Sequence, residues 1–391
     1  MQILLSCVTS FCVPQLAQDR AIHRRGVLYP AGLSPPRTEP SPQDQIQFLV
    51  NVQRLLNEGL FVASYKFALL LSLADLSVER ADSSGDAVSL SSYEIAEKFI
   101  QYYWRQAAPY PSAATPKILQ QNTGKQAEIL NIIRDARTKH GDSLPLITKK
   151  SNVWPRLVRR VAKVVREMPL WKLQTIGPER MDFLYENMGA GTEIELRPGV
   201  AYCFRKFHAL LTDLVRGAWS RYVRQLNVAA LGEATDLNEF LFGSERISLA
   251  VVRPVLLDIQ NGRCFYCGST LTPASTQVDH FVAWARYPVD LGHNFVLADS
   301  KCNRQKLDRL PACEHLATWT ERNSHFGDQI AEGLTRQGII SELTASTCVV
   351  QWAYGQTEIA RGLTWLRKGE MVPLDARWRE FFKAAPAISD K

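Results

Sequence analysis

From residue 44 onward the hydrophobic positions recur at helical rather than alternating spacing. Phe48, Val52, Leu55 and Leu56 fall three or four residues apart, the stripe of an amphipathic helix. Residues 61–76 are apolar almost all round, as in a helix buried on every side. Ser91-Ser92-Tyr93-Glu94 has the spacing of a capping box and predicts a helix packing through Ile95, Phe99 and residues 102–104. Residues 79–90, with Ser83-Ser84-Gly85-Asp86, read as the loop before it. A further helix is predicted over residues 124–138.

The pattern turns basic at residues 154–168. Leu157, Val158, Val161, Val164, Val165 and Met168 make one stripe, with Arg156, Arg159, Arg160, Lys163 and Arg166 opposite. Pro155 suits the first turn of this helix and Pro169 its end. Such a face is either simply solvated or a track along phosphates. Residues 191–203 open with a short strand, followed by one long helix to about residue 226. It carries Arg205, Lys206, Arg216, Arg221 and Arg224 beside Phe204, Trp219 and Tyr222. Phe204 and Trp219 are expected in the core. Residues 227–248 are acidic and read as a linker, and residues 253–260 as a short helix. Beyond residue 306 come helical segments rich in tryptophan (Trp319, Trp352, Trp365, Trp378), expected to cover the unit before them.

Composition narrows the class. A chain of 391 residues, 46% hydrophobic and 22% charged, is long enough for two or three units around real cores and ordinary for a soluble protein. A net charge of +7 favours a polyanionic partner without requiring one. No stretch approaches the roughly 18 uninterrupted apolar residues of a membrane span, so no membrane is expected. Residues 1–13 look like a short signal core, but lack a basic start and a small-residue cleavage site. With the Pro-, Arg- and Ser-rich residues 15–43 they read as an unstructured tail, 1–43. Of eight cysteines, Cys7, Cys12, Cys203, Cys313 and Cys348 are scattered, whereas Cys264, Cys267 and Cys302 have metal-ligand spacing. That usage suits a reducing cytoplasm.

The chemistry-bearing residues are concentrated after residue 263. Cys264 and Cys267 form a knuckle whose sulfurs turn toward one metal, and Gly268 permits the tight turn. Cys302 supplies a third thiolate, with Asp299 at the fourth position. Three thiolates with His293 or an outside ligand, or a knuckle without zinc, are the alternatives. Asp279-His280 pairs a carboxylate with an imidazole. Phosphodiester hydrolysis needs a cation against developing charge and a base to deprotonate water. Asn294 can hold the imidazole's loop, and Asn303 can give a cation a second oxygen. Lys306 and Arg304 share the same final helix, where Lys306 is expected to grip a phosphate. His208, His315 and His325 show no partner pattern.

In order along the chain, these fragments resemble the HNH (ββα-metal) endonuclease family, in its variant with Asn at the third motif position and zinc-knuckle cysteines. The resemblance covers the segment from Cys264 to about Asp308. It implies Asp279 and Asn303 as ligands of Mg²⁺ or Mn²⁺, His280 as general base and Asn294 as the amide orienting its loop. It also implies a structural Zn²⁺ on Cys264, Cys267 and Cys302, with Asp299 replacing the usual fourth cysteine. The fold class expected is mostly α with a small embedded α+β unit: a helical N-terminal region plus a ββα-metal nuclease domain. The divisions are a tail (1–43), a helical recognition or regulatory region (44–248), the nuclease unit (249–310) and a helical cover (311–391). The expected activity is metal-dependent cutting or nicking of DNA, double-stranded, with Arg156, Arg159, Arg160 and Lys163 on the phosphates. A homodimer or partner proteins of a bacterial anti-phage defence system are further expectations. The competing class is a non-catalytic zinc-knuckle protein that binds nucleic acid or regulates.

Overall fold

Ser41 and Asp44 cap each other reciprocally, so the first helix, α1 (Pro42–Glu58), starts just ahead of its apolar stripe. The computed structural model describes residues 39–383, except 81–83, 112–116, 178, 187–190, 232–236, 244–250, 338 and 340. The tail expected over 1–43 lies, as far as residue 38, outside the described residues. Next come α2 (Tyr65–Arg80), β1 (Val88–Ser91), α3 (Ser92–Gln106), α4 (Glu128–His140), α5 (Leu144–Thr148), α6 (Trp154–Glu167) and α7 (Pro169–Lys172). The pairs β2 (Thr175–Ile176) and β3 (Glu179–Arg180), then β4 (Glu193–Leu196), precede α8 (Val200–Lys206), α9 (His208–Leu226) and α10 (Leu237–Phe242). The remainder is α11 (Arg253–Ile259), β5 (Thr276–His280), β6 (Phe295–Asp299), α12 (Ser300–Lys306), α13 (Cys313–Thr335), α14 (Leu343–Ile359), β7 (Leu363–Arg367) and β8 (Glu370–Pro373). The protein is thus mostly helical, with small two-stranded elements.

α2 is the axis of the N-terminal region. It is apolar round its circumference and is packed by α3, α8, α9 and α14. It runs past residue 76 to Arg80 because its polar residues find buried partners. Ser72 and Ser77 bond back to the carbonyls of Ala68 and Leu73, while Asp75 meets Tyr102 and His208, and Glu79 meets Lys98. The Ser91–Glu94 capping box opens α3 as expected. The apolar side of α6 packs on α3 and α4, leaving Arg156, Arg159, Arg160 and Lys163 exposed. β1 pairs antiparallel with β4, so the strand before Val200 joins the residues that lead into α3.

Three expectations need correcting. The long helix over 203–226 is broken at Phe207, which separates α8 from α9. The supposed linker 227–248 contains α10, whose Leu237, Phe240 and Leu241 are buried against α3 and α9. The cover after residue 310 is not wholly helical, since it includes the β7–β8 hairpin and a 3-10 helix, Ala376–Phe382.

The described residues from 39 to 383 belong to one compact unit, and three apolar clusters are found among them. The largest lies within α1–α10 and includes Phe204 and Trp219. β6 separates the other two. Its Val296 and Ala298 join the cluster containing Trp319, Trp352, Trp365 and Trp378, whereas Phe295 and Leu297 join Leu256, Ile330 and Leu334. That alternation buries both faces of β6 and fixes the register of its partner, β5. No described helix is long and apolar enough to cross a membrane.

Candidate functional site

The knuckle is built by a turn between α11 and β5. Gly268 has φ 69°, and its N–H donates to the Cys264 carbonyl at 2.9 Å, a left-handed turn that suits glycine. The Phe265 N–H donates to the carbonyl of Leu297 at 2.8 Å, stitching the knuckle to β6. Cys302 approaches from α12. The sulfurs of Cys264, Cys267 and Cys302 all lie within 4.8 Å of one another, a group that can hold a metal ion. Thiolates are soft donors suited to zinc. Burial pushes the Cys264 thiol up; at Cys267 burial is outweighed by hydrogen bonds from Ser269, which bring that thiol down.

Asp299 does not join the thiols. Its side chain caps α12 by accepting the Lys301 N–H at 2.9 Å, while its own N–H donates to Cys264 Sγ at 3.2 Å. It supports the cluster through its backbone. His293 is also elsewhere: its buried ring meets the carbonyl of Gly327 through Nε2 at 3.0 Å.

β5 and β6 pair from Thr276↔Asp299 to His280↔Phe295, and α12 follows β6 directly. Alternation along β5 puts Gln277 and Asp279 on the α12 side and His280 on the other. Asp279 Oδ2 accepts from Tyr266 Oη at 2.6 Å and pairs with Lys306 Nζ at 3.0 Å. Both contacts fall on one oxygen, leaving Oδ1. Asn303 donates its amide to Gln277 at 2.9 Å, which leaves its own carbonyl oxygen on the same side of the sheet.

Lys306 departs from the expected phosphate grip. It is fully buried, and its ammonium is held by Asp279 and by the His280 carbonyl at 2.8 Å. Burial pushes its pKa down, while Asp279 opposes that shift. Arg304 is exposed, with Nε bonded to the Ser300 carbonyl within its own helix.

His280 sits between Trp284 and Phe295, with ring centroids 5.2 and 4.8 Å away, and its Nε2 meets Asp290 at 2.8 Å. An ionised carboxylate only accepts, so this bond selects the Nε2–H tautomer and leaves the Nδ1 lone pair. Asn294 clamps the loop between the strands. Its Oδ1 accepts from the Val282 N–H at 2.8 Å, its Nδ2 donates to the Val282 carbonyl at 3.0 Å, and its own carbonyl accepts from Phe281 at 2.7 Å. The basic residues of α6 belong to a different neighbourhood, packed on α3, α4 and α7.

Sequence reasoning missed four partners. Asp290 holds His280, Tyr266 holds Asp279, and Gln277 holds Asn303. Arg322, buried on α13, donates to the carbonyls of His293 and Phe295, both at 2.7 Å, and so fixes the start of β6. The aspartate in the loop and the tyrosine inside the knuckle were visible as residue types. Their partners are set only by the fold.

The helical region carries the family relationship. The chain belongs to a family described as a domain of unknown function (DUF8808), whose model matches residues 45–240. That match spans α1 to α10 and ends before the thiol cluster. No curated protein matches the chain.

Proposed function

We propose that the β5–β6–α12 unit is an HNH-type nuclease centre that hydrolyses phosphodiester bonds in DNA. The observation that carries this reading is His280. It stands at the end of β5 with Nε2 engaged by Asp290, Nδ1 left to accept a proton, and its loop clamped by Asn294. In this reading His280 takes the proton from the attacking water, and Asp290 stabilises the imidazolium that results. Asp279 Oδ1 and Asn303 Oδ1 are the hard oxygen donors suited to Mg²⁺ or Mn²⁺. When bound, such a cation supplies charge stabilisation at the scissile phosphate and its leaving oxygen. Cys264, Cys267 and Cys302 are the residues for a structural zinc. One such centre cuts one strand, so a monomer should nick.

Supercoiled plasmid incubated with Mg²⁺ or Mn²⁺ tests the proposal. The wild-type protein should produce nicked circles, and His280→Ala should abolish them while leaving DNA binding intact. Cleavage that survives His280→Ala would remove the residue on which the reading rests.

A second reading is favoured by Lys306. Its buried ammonium already neutralises Asp279, as in a metal-stabilised knuckle that binds nucleic acid without turnover. DNA binding by the wild type, with no cleavage under any divalent cation, would select it.

A further inference from the structure

An open cleft of about 960 Å³ lies between α9, α10 and residues 284–288, within the usual range for small-molecule sites. Two of its polar side chains are engaged, His208 with Asp75 at 2.7 Å and Glu239 with Arg105 at 3.4 Å, whereas its two arginines keep donors for a ligand. Arg216 makes no ion pair among the described residues; its guanidinium lies over the Phe242 ring at 5.3 Å, and its Nε is buried without a hydrogen-bond partner. Thr212 Oγ1 is likewise buried, with no hydrogen-bond partner among the described residues. Arg286, opposite, spends its Nε on the Asp308 carbonyl at 2.9 Å, with no bond from its terminal nitrogens among the described residues. Asn238 and Asp213 are exposed at the rim; Asn238 Oδ1 accepts from the Ser220 hydroxyl, so its amide nitrogen and the Asp213 carboxylate are the groups offered there. Trp284 lines the same cleft and packs edge-on to His280.

Two guanidiniums, an indole, and a hydroxyl, amide and carboxylate together fit one ligand class. Arginine forks take phosphate oxygens, an aromatic face takes a planar base, and the small polar groups take amino and hydroxyl edges. We propose that this cleft binds a nucleotide unit, with its phosphate on Arg216 and Arg286 and its base against Trp284. The unit is either a free nucleotide or one residue of a strand leading to His280. In its strand form the proposal rests on the nuclease reading; as a free-nucleotide site it does not.

Two probes separate these sources: adenosine 5′-monophosphate followed by calorimetry, and a labelled single-stranded oligodeoxynucleotide followed by anisotropy. Both are measured on the full chain carrying His280→Ala, with and without Arg216→Gln. Removing one charge-assisted hydrogen bond should weaken binding roughly tenfold at an unchanged melting midpoint. Asn238→Asp, an exposed substitution that adds like charge beside the phosphate, should act in the same direction. Weakening of both probes assigns the site to free nucleotides, and weakening of the oligonucleotide alone assigns it to a strand. Equal binding to parent and variants, or no binding of either probe to the parent, overturns the proposal. Nicking by wild type with probe binding indifferent to Arg216 would sink this inference alone. Arg216-sensitive binding of adenosine 5′-monophosphate without any cleavage would sink the nuclease reading, and the strand form with it, while leaving the free-nucleotide site.

Discussion

Tyr287 donates its hydroxyl hydrogen to Glu79 at 2.6 Å across 208 positions of sequence. Glu79 lies on α2, the axis of the helical region, and Tyr287 lies in the loop that also supplies Asp290 to His280. Glu79 is also ion-paired with Lys98 at 2.6 Å, in a setting nearly closed to solvent. The helical family region and the loop of the candidate centre therefore share one buried polar network. Low dielectric strengthens each bond and makes any unpaired member costly.

Tyr287→Phe removes one bond but leaves the Glu79–Lys98 pair, and should cost about 1 kcal/mol in a urea unfolding series. Glu79→Gln strands the Lys98 ammonium and should cost about 3 to 5 kcal/mol. Similar losses for the two substitutions would mean that Lys98 is solvated and the network is not closed.

Asp75 gives this region its acid sensitivity. Its carboxyl is buried, which raises its pKa, but His208 at 2.7 Å, then Lys98 and Tyr102, outweigh burial and hold it below the ordinary 3.8. A depressed carboxyl stabilises the fold fully above its unfolded value, and that contribution is lost as the pH falls through the lower folded value. Stability of the wild type should therefore drop below about pH 4, with a shallower drop in Asp75→Asn. Melting curves of the two proteins from neutral to acid pH measure the difference; parallel curves would remove Asp75 from the account.

α6 provides an independent test of nucleic-acid binding. Its Arg156, Arg159, Arg160 and Lys163 are exposed, and Lys163 pairs only loosely with Glu167, at 3.8 Å. Replacing Arg159, Arg160 and Lys163 with Gln should weaken DNA binding and flatten the log–log salt dependence by up to about 0.9 for each phosphate no longer neutralised. A salt slope equal to that of the wild type would make this a solvated face.

What could be read in advance divides along physical lines. The Ser91 cap, the α6 stripe and the convergence of Cys264, Cys267 and Cys302 were legible because each depends on short spacings or on a single return of the chain. α10 was hidden, since Leu237, Phe240 and Leu241 are too few to show a period until α3 and α9 cover them. The break at Phe207 is likewise a tertiary choice within a helix-forming stretch. Lys306 shows the limit most directly. Its spacing from Asn303 puts it on the right helix, but whether its ammonium faces solvent or Asp279 depends on which oxygen lies beneath it.

The thiol cluster predicts a metal-linked stability. Cys267 is its exposed member, so Cys267→Ser should disturb the core little beyond the loss of a ligand. We expect zinc content near one equivalent in the wild type and well below that in the variant, with a lower melting midpoint. Chelation should lower the wild-type midpoint toward that of the variant. Wild-type protein that is free of metal and indifferent to chelator would refute the structural-zinc assignment.

Lys306→Met separates the two functional readings through stability alone. The substitution keeps the aliphatic stem and removes the charge beside Asp279, whose side chain is only 9% exposed. Without added cation, the uncompensated carboxylate should cost about 3 kcal/mol or more. If Asp279 and Asn303 form a cation site, Mg²⁺ or Mn²⁺ restores the missing positive charge. The variant's melting midpoint should then rise on adding either ion, by more than the wild type's, and Asn303→Ala should cancel that gain. In a binding-only knuckle the lysine is a permanent structural counterion. Neither ion should then rescue the variant, and the readout requires no assumption about which nucleic acid is cut.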